Sequence, residues 1–291
     1  MKVLVTGANG QLGRCLQDRI VYFGFDGIFT DYEQLDITNF DTVNQFAEQY
    51  RPDVIINAAA YTAVDKAESE YDIAYAVNAK GPHNLALVAS NMNIPLLHVS
   101  TDYVFDGNAT TPYLPGSLTS PKSVYGETKL AGEELVAEAN SKHVIVRTAW
   151  VFSEYGNNFV NTMLRLSKER DEIKVVADQY GCPTYAGDLA NALLLIVQEL
   201  ERSNTYIQYG VFHYCGDLPT SWHGFTSAIV DEAYTQNIIE SKPIVSPISS
   251  SEYPTPAKRP YYSVLCCDDF PVKVERNWRS SLKHVVEKAS N

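Results

Sequence analysis

The segment that most constrains the fold is "KVLVTGANGQLG", residues 2–13. A short run of β-branched and aliphatic residues reads as a buried strand, and the helical pattern that opens near Gly10 and runs to Ile20 reads as the helix after it. Between them stand Gly7, Gly10 and Gly13. Gly7 permits a tight turn, Gly10 lets the backbone approach a phosphate, and Gly13 lets helix and strand pack closely. Gln11 and Leu12 then fall in the first helical turn, whose free amides and dipole favour an anion. The spacing is G-x-x-G-x-x-G rather than G-x-G-x-x-G. In its strand–turn–helix setting it predicts a dinucleotide site.

The same alternation continues. "GIFT" (27–30) is a second strand ending at Asp31, and Thr38 or Asn39 is placed to cap a helix through Tyr50. "DVIINAAA" (53–60), "PLLHVS" (95–100) and "HVIVRT" (143–148) are further strands. Helices from about Asn78 to Met92 and from about Val124 to Asn140 lie between them; Asn78, at the start of the first, fits a cap and a structural asparagine equally. Repeated strand–helix units predict an α/β fold, a Rossmann-type doubly wound parallel sheet. Beyond residue 150 the rhythm changes: two helical stretches, the second capped by Asp188, precede a Ser- and Pro-rich tail. We expect a dinucleotide-binding domain over 1–150, with 172–216 returning to it. A smaller mixed α/β lobe would take 151–171 and 217–291.

Composition narrows the function. A net charge of −12 argues against a nucleic-acid or membrane-surface partner, each of which needs a basic face. The first apolar run breaks at Gly7, too early for a signal peptide or a membrane span. The cysteines, at 15, 182, 215, 266 and 267, are scattered without metal-ligand spacing, so we expect reduced thiols, a cytoplasmic protein and no metal. Asp31, at a strand end, can accept the hydroxyls of a ribose. That favours NADH, because a 2′-phosphate would meet a like charge; Arg14 leaves NADPH open. Asp36 and Ile37 are further contacts beside an adenine ring.

"YGETK" (125–129) places Tyr125 and Lys129 on one helix face. A nearby ammonium would lower the phenol's pKa and ease proton donation. With nineteen tyrosines in the chain, about one Tyr-x-x-x-Lys arises by chance. Thr101 in "STDYVFDG" supplies the hydroxyl that gives the pair a context. Glycine turn, hydroxyl and Tyr–Lys pair together resemble the extended short-chain dehydrogenase/reductase family. Within it the chain is most similar to the dTDP-4-dehydrorhamnose reductases, through "PDVIINAAAYTAVDKAE", "VYGETKLAGE", "RTAWVF", "GNNF", "DQYGCPT" and "YPTPAKRP".

That resemblance implies reduction of the C4 keto group of dTDP-4-dehydrorhamnose by NADH or NADPH. Tyr125 would be the acid, Thr101 would hold the same oxygen, and Lys129 would bind the nicotinamide ribose. It also implies Gly10, Gln11 and Leu12 at the pyrophosphate, and Ala60, Tyr61 and Thr62 along the cofactor. Asp102 and Trp150 would touch the sugar nucleotide, with Asn158 and Arg259 at its diphosphate. A homodimer and a monomer are both compatible with it. Two rivals share the fold. A sugar-nucleotide dehydratase or epimerase is disfavoured because Tyr103 follows Thr101-Asp102 where dehydratases place glutamate. A non-catalytic regulatory subunit, like that of methionine adenosyltransferase, is disfavoured by "VDKAESE" and "GNNF".

Overall fold

A computed structural model describes residues 1–202 and 208–289. The first part builds β1 (Lys2–Thr6), α1 (Gln11–Ile20), β2 (Asp26–Thr30), α2 (Phe40–Tyr50), β3 (Val54–Asn57) and the short α3 (Val64–Ala67). Then come α4 (Tyr71–Tyr75), a π turn over Ala76–Lys80, α5 (Gly81–Asn91), β4 (Leu96–Thr101), α6 (Val124–Ala139) and β5 (His143–Thr148). The remainder adds β6 (Val151–Phe152), α7 (Phe159–Glu169), β7 (Glu172–Val176), β8 (Tyr180–Gly181), β9 (Thr184–Tyr185) and α8 (Ala186–Glu201). It ends with β10 (Gly210–His213), β11 (Thr220–Ser221), α9 (Trp222–Thr235), β12 (Ile244–Ile248) and α10 (Trp278–Lys288).

Six parallel strands form the central sheet in the order β10-β5-β4-β3-β1-β2. Side chains alternate across it, as the strand period requires. Val3, Val5, Ile56 and Val146 face α1 and α8, while Leu4, Ile55, Leu96 and Ile145 face α2, α5 and α6. Both faces are therefore dry, which is why the strands read as continuous apolar runs. The order reverses between β1 and β3, so a crevice opens at their carboxyl ends.

Three expectations change. Asn78 is no cap: helix runs unbroken from Tyr71 through the π turn to Asn91, with Asn78 inside that turn. Asp188 is the third residue of α8, which starts after Tyr185, and it accepts from Ser281 Oγ at 2.6 Å. The return to the sheet also begins later than residue 172. β7 pairs with β12, and Ile173 and Val175 pack with α7, α9 and α10 in a separate core, whereas α8 and β10 join the sheet.

Candidate functional site

A cleft of about 810 Å³ opens over the carboxyl ends of β1, β3, β4 and β5. The glycine turn forms its floor. Gly7 has φ 71°, and a Cβ there would stand 2.6 Å from the Ala59 nitrogen. Gly13 does not line the cleft; its Cβ would lie 2.2 Å from the Gly7 oxygen, so its absence lets α1 close on the turn. Gly10 caps α1 without a side chain, leaving the first amides of the helix free of a side-chain partner beside Gln11 and Leu12.

Asp31 lies at the end of β2 and lines the cleft, its carboxylate accepting from the Asn9 and Tyr32 amides, each at 2.8 Å. Asp36 and Ile37 line it next; Asp36 accepts from the Thr38 amide and hydroxyl. Ala60, Tyr61 and Thr62 form the opposite rim. Asn78 fixes that rim: its Oδ1 accepts from the Tyr61 amide at 2.8 Å, and its Nδ2 donates to the Tyr61 carbonyl at 3.1 Å. A fully buried carboxamide thus completes both backbone valences of one loop residue, and the π turn supplies it.

The chemistry-bearing groups meet where β4 ends. The Thr101 hydroxyl donates to Asp102 Oδ1 at 3.0 Å and accepts from the Tyr103 amide. Asp102 is buried, and burial pushes its carboxyl up to about 6. Ser123 caps α6, so that Tyr125 enters the cleft from the first helical turn and Lys129 one turn later. Lys129 is 1% exposed; its Nζ donates to the Val99 carbonyl at 2.8 Å and stands 3.5 Å from His98 Nε2. Burial, against a smaller opposing pull from Glu133, brings its ammonium down to about 8. The expectation of a lowered phenol pKa does not hold here. Enclosure by protein pushes Tyr125 up to about 12, with the Asp102 charge adding to it and the Thr101 hydroxyl opposing it, while Lys129 turns its ammonium to the Val99 carbonyl.

Trp150 lines the cleft in a left-handed backbone conformation, φ 49°, and its indole stacks on that of Trp222 at 3.5 Å and 6°. A bulky residue held there is strained, which is a mark of functional positions. Asn158 and Arg259 are not brought to this cleft. Asn158 caps α7, accepting from the Asn161 amide and donating to the Ser153 and Tyr155 carbonyls; its neighbour Asn157 reaches the cleft instead. Arg259 makes a two-pronged ion pair with Asp65 at 2.9 and 3.2 Å, and borders a small neighbouring pocket with Tyr103 and Lys258.

Sequence reasoning passed over several lining residues. Ser100 and Thr148 read as plain strand ends, yet their hydroxyls, with Asp102 Oδ2, are buried at the cleft with no hydrogen-bond partner among the described residues. Trp222 sits far along the chain, beside no motif. A glycine-turn cradle, an acid at the end of β2 and unpaired polar atoms at the strand ends fit a nicotinamide dinucleotide.

The family described as RmlD substrate binding domain matches residues 1–291. A dTDP-4-dehydrorhamnose reductase of Aggregatibacter actinomycetemcomitans is 48% identical over 91% of this chain and 90% of its own. The crystal structure of a dTDP-4-dehydrorhamnose reductase from Clostridium acetobutylicum superposes with a TM-score of 0.89 at 44% identity, covering 99% of both chains. One from Bacillus anthracis, in complex with NADP, superposes with a TM-score of 0.88 at 38% identity over 99% of both. Relatives this similar over nearly the whole chain leave one conclusion: the protein belongs to the dTDP-4-dehydrorhamnose reductase family.

Proposed function

We propose that this chain reduces the C4 keto group of dTDP-4-dehydro-L-rhamnose to give dTDP-L-rhamnose. The observation that carries the reading is the convergence of Thr101, Tyr125 and Lys129 in one cleft with the Gly7–Leu12 turn. NADH or NADPH, when bound, supplies the hydride. The turn from Gly7 to Leu12 holds the pyrophosphate, Asp31 the adenosine ribose, and Asp36 and Ile37 flank the adenine. Ala60, Tyr61 and Thr62 run along the cofactor to Lys129, whose ammonium holds the second ribose. Tyr125 Oη gives its proton to the C4 oxygen, and Thr101 turns its hydroxyl from Asp102 to the same atom. Asp102 Oδ2 accepts a sugar hydroxyl, and Trp150 with Trp222 forms the wall against the sugar nucleotide.

Asn158 and Arg259 are left out of this reading, since a helix cap and an ion pair account for them. Every residue named comes from one chain, so a monomer or a homodimer serves equally. A cytoplasmic location suits the five free thiols and a soluble nucleotide substrate. No described helix is long and apolar enough to cross a membrane.

The test is loss of nicotinamide absorbance from NADH, and separately NADPH, with freshly generated dTDP-4-dehydrorhamnose and purified protein. Stoichiometric oxidation yielding dTDP-rhamnose is expected. Dinucleotide binding without oxidation would overturn this reading in favour of a non-catalytic subunit of the same fold or a different keto-sugar.

A further inference from the structure

Behind Lys129 the sheet carries a buried chain of polar groups that the reduction does not use. His98 Nε2 stands 3.5 Å from Lys129 Nζ, and His98 Nδ1 stands 3.0 Å from Asn57 Nδ2. Asn57 Oδ1 accepts from the Ala59 amide at 3.1 Å and from Thr6 Oγ1 at 2.7 Å. His98 and Asn57 are fully buried.

Hydrogen-bond chemistry assigns every proton in this chain. The Ala59 amide can only donate, so the end of the Asn57 carboxamide facing it is the oxygen. The end facing His98 is therefore the nitrogen, which also can only donate. His98 Nδ1 must accept. Burial first, and the charge of Lys129 second, hold the imidazole well below its usual range, so it is neutral and has one N–H. That proton lies on Nε2, facing Lys129. An ammonium has three donors and no acceptor, so two donors oppose each other across 3.5 Å; a neutral amine would instead accept the Nε2 proton.

We infer that Asn57 and His98 are positioning residues for Lys129: by fixing the imidazole proton on Nε2, they face the lysine with a donor and weaken its hold on its own proton. The ammonium is left to donate to the Val99 carbonyl and into the cleft. The other charged or titratable groups around Lys129 are few. Tyr125 lies one turn before it on α6 and Glu133 one turn after; Asp102 follows the strand that carries His98. Glu133 pulls the lysine pKa upward, but its carboxylate is already held by Arg147 of β5 at 2.7 to 3.1 Å. The donor from His98 opposes that pull. The consequence for catalysis rests on the role proposed for Lys129; the tautomer does not.

Nitrogen-15 NMR of histidine-labelled protein reads the tautomer, with the His98 signals identified by their loss in His98→Leu or His98→Gln. A neutral imidazole protonated on Nε2 is expected. A proton on Nδ1, or a charged ring at neutral pH, overturns the proposal. Titration of carbon-13-labelled lysines then reads the Lys129 pKa, identified by its loss in Lys129→Met. His98→Leu removes the donor and should raise that pKa by about one unit. His98→Gln can offer its oxygen to Asn57 and its nitrogen to Lys129, and should keep the wild-type value. An unchanged pKa in His98→Leu, or equal rises in both variants, overturns the proposal; if His98→Leu does not fold, the wild-type tautomer decides. Both measurements use the enzyme without substrate, so failure of the reductase assay would leave them intact.

Discussion

Tyr125 can act as an acid only while it holds its proton, and at a pKa of about 12 it holds it throughout the neutral range. Tyr125→Phe should cut turnover by roughly 10²–10⁴-fold, the usual worth of a positioned acid. Dinucleotide affinity, read by fluorescence titration, should stay nearly unchanged; normal turnover would remove Tyr125 from the role. Lys129 ionises far lower, near 8, so its charge is present below that pH and lost above it. Turnover should therefore fall as pH rises through about 8, before Tyr125 titrates, and a flat profile to pH 10 would contradict this. Asp31→Ala removes the one acid at the end of β2 and should raise kcat/KM with NADPH relative to NADH. An unaltered ratio would mean that the ribose is read elsewhere. Tyr125, Lys129 and Thr101 were legible in sequence because each belongs to a local pattern. His98, Ser100 and Thr148 were not, since a strand residue's neighbours across the sheet are set by register, which local pattern does not give.

Elements place these groups, and α6 shows how closely. A Cβ on Gly132 would lie 2.1 Å from the Asn78 carbonyl, so the helix carrying Tyr125 and Lys129 can approach the π turn only with glycine there. Gly132→Ala should push α6 outward, lowering stability by about 1–3 kcal/mol in a denaturant melt. It should also weaken dinucleotide binding, because Asn78 would lose its grip on Tyr61. Unchanged stability would show that the helix has room to spare. Five of the six sheet strands and most helices followed from apolar runs and from capping choices such as Thr38 or Asn39; β10 and the cap at Ser123 did not. The start of the 71–91 helix did not. Its first turn, Tyr71 to Ile73, is exposed, Tyr71 and Ile73 included, so its apolar residues mark no buried stripe. The reassignment of β7 likewise depends on β12, more than sixty residues away in sequence, as its partner.

For the molecule as a whole, the site is a cost as well as a function. Asp102 is buried with one oxygen unpartnered, and its pKa of about 6 lies above the ordinary 3.8. Raised in the folded state, the carboxyl destabilises the protein as its charge appears: little below pH 4, and fully above about 6. Asp102→Asn should therefore be more stable than wild type by roughly 1–3 kcal/mol in urea melts at pH 8, with the difference closing towards pH 4. Activity should fall even as stability rises, the trade expected at a functional site. Equal stability at pH 8 would show that the carboxylate is better solvated than its burial implies. One other feature has an optical meaning. The chain has three tryptophans; Trp278 is buried in the lobe, and the other two lie face to face in the cleft. Stacked indoles at 3.5 Å couple their electronic transitions, and wherever their transition moments are skewed within the two planes they give a circular-dichroism couplet that a lone indole lacks. A sugar nucleotide that parts or tilts them changes that couplet directly, and the protein thereby carries an unlabelled reporter of its own occupancy.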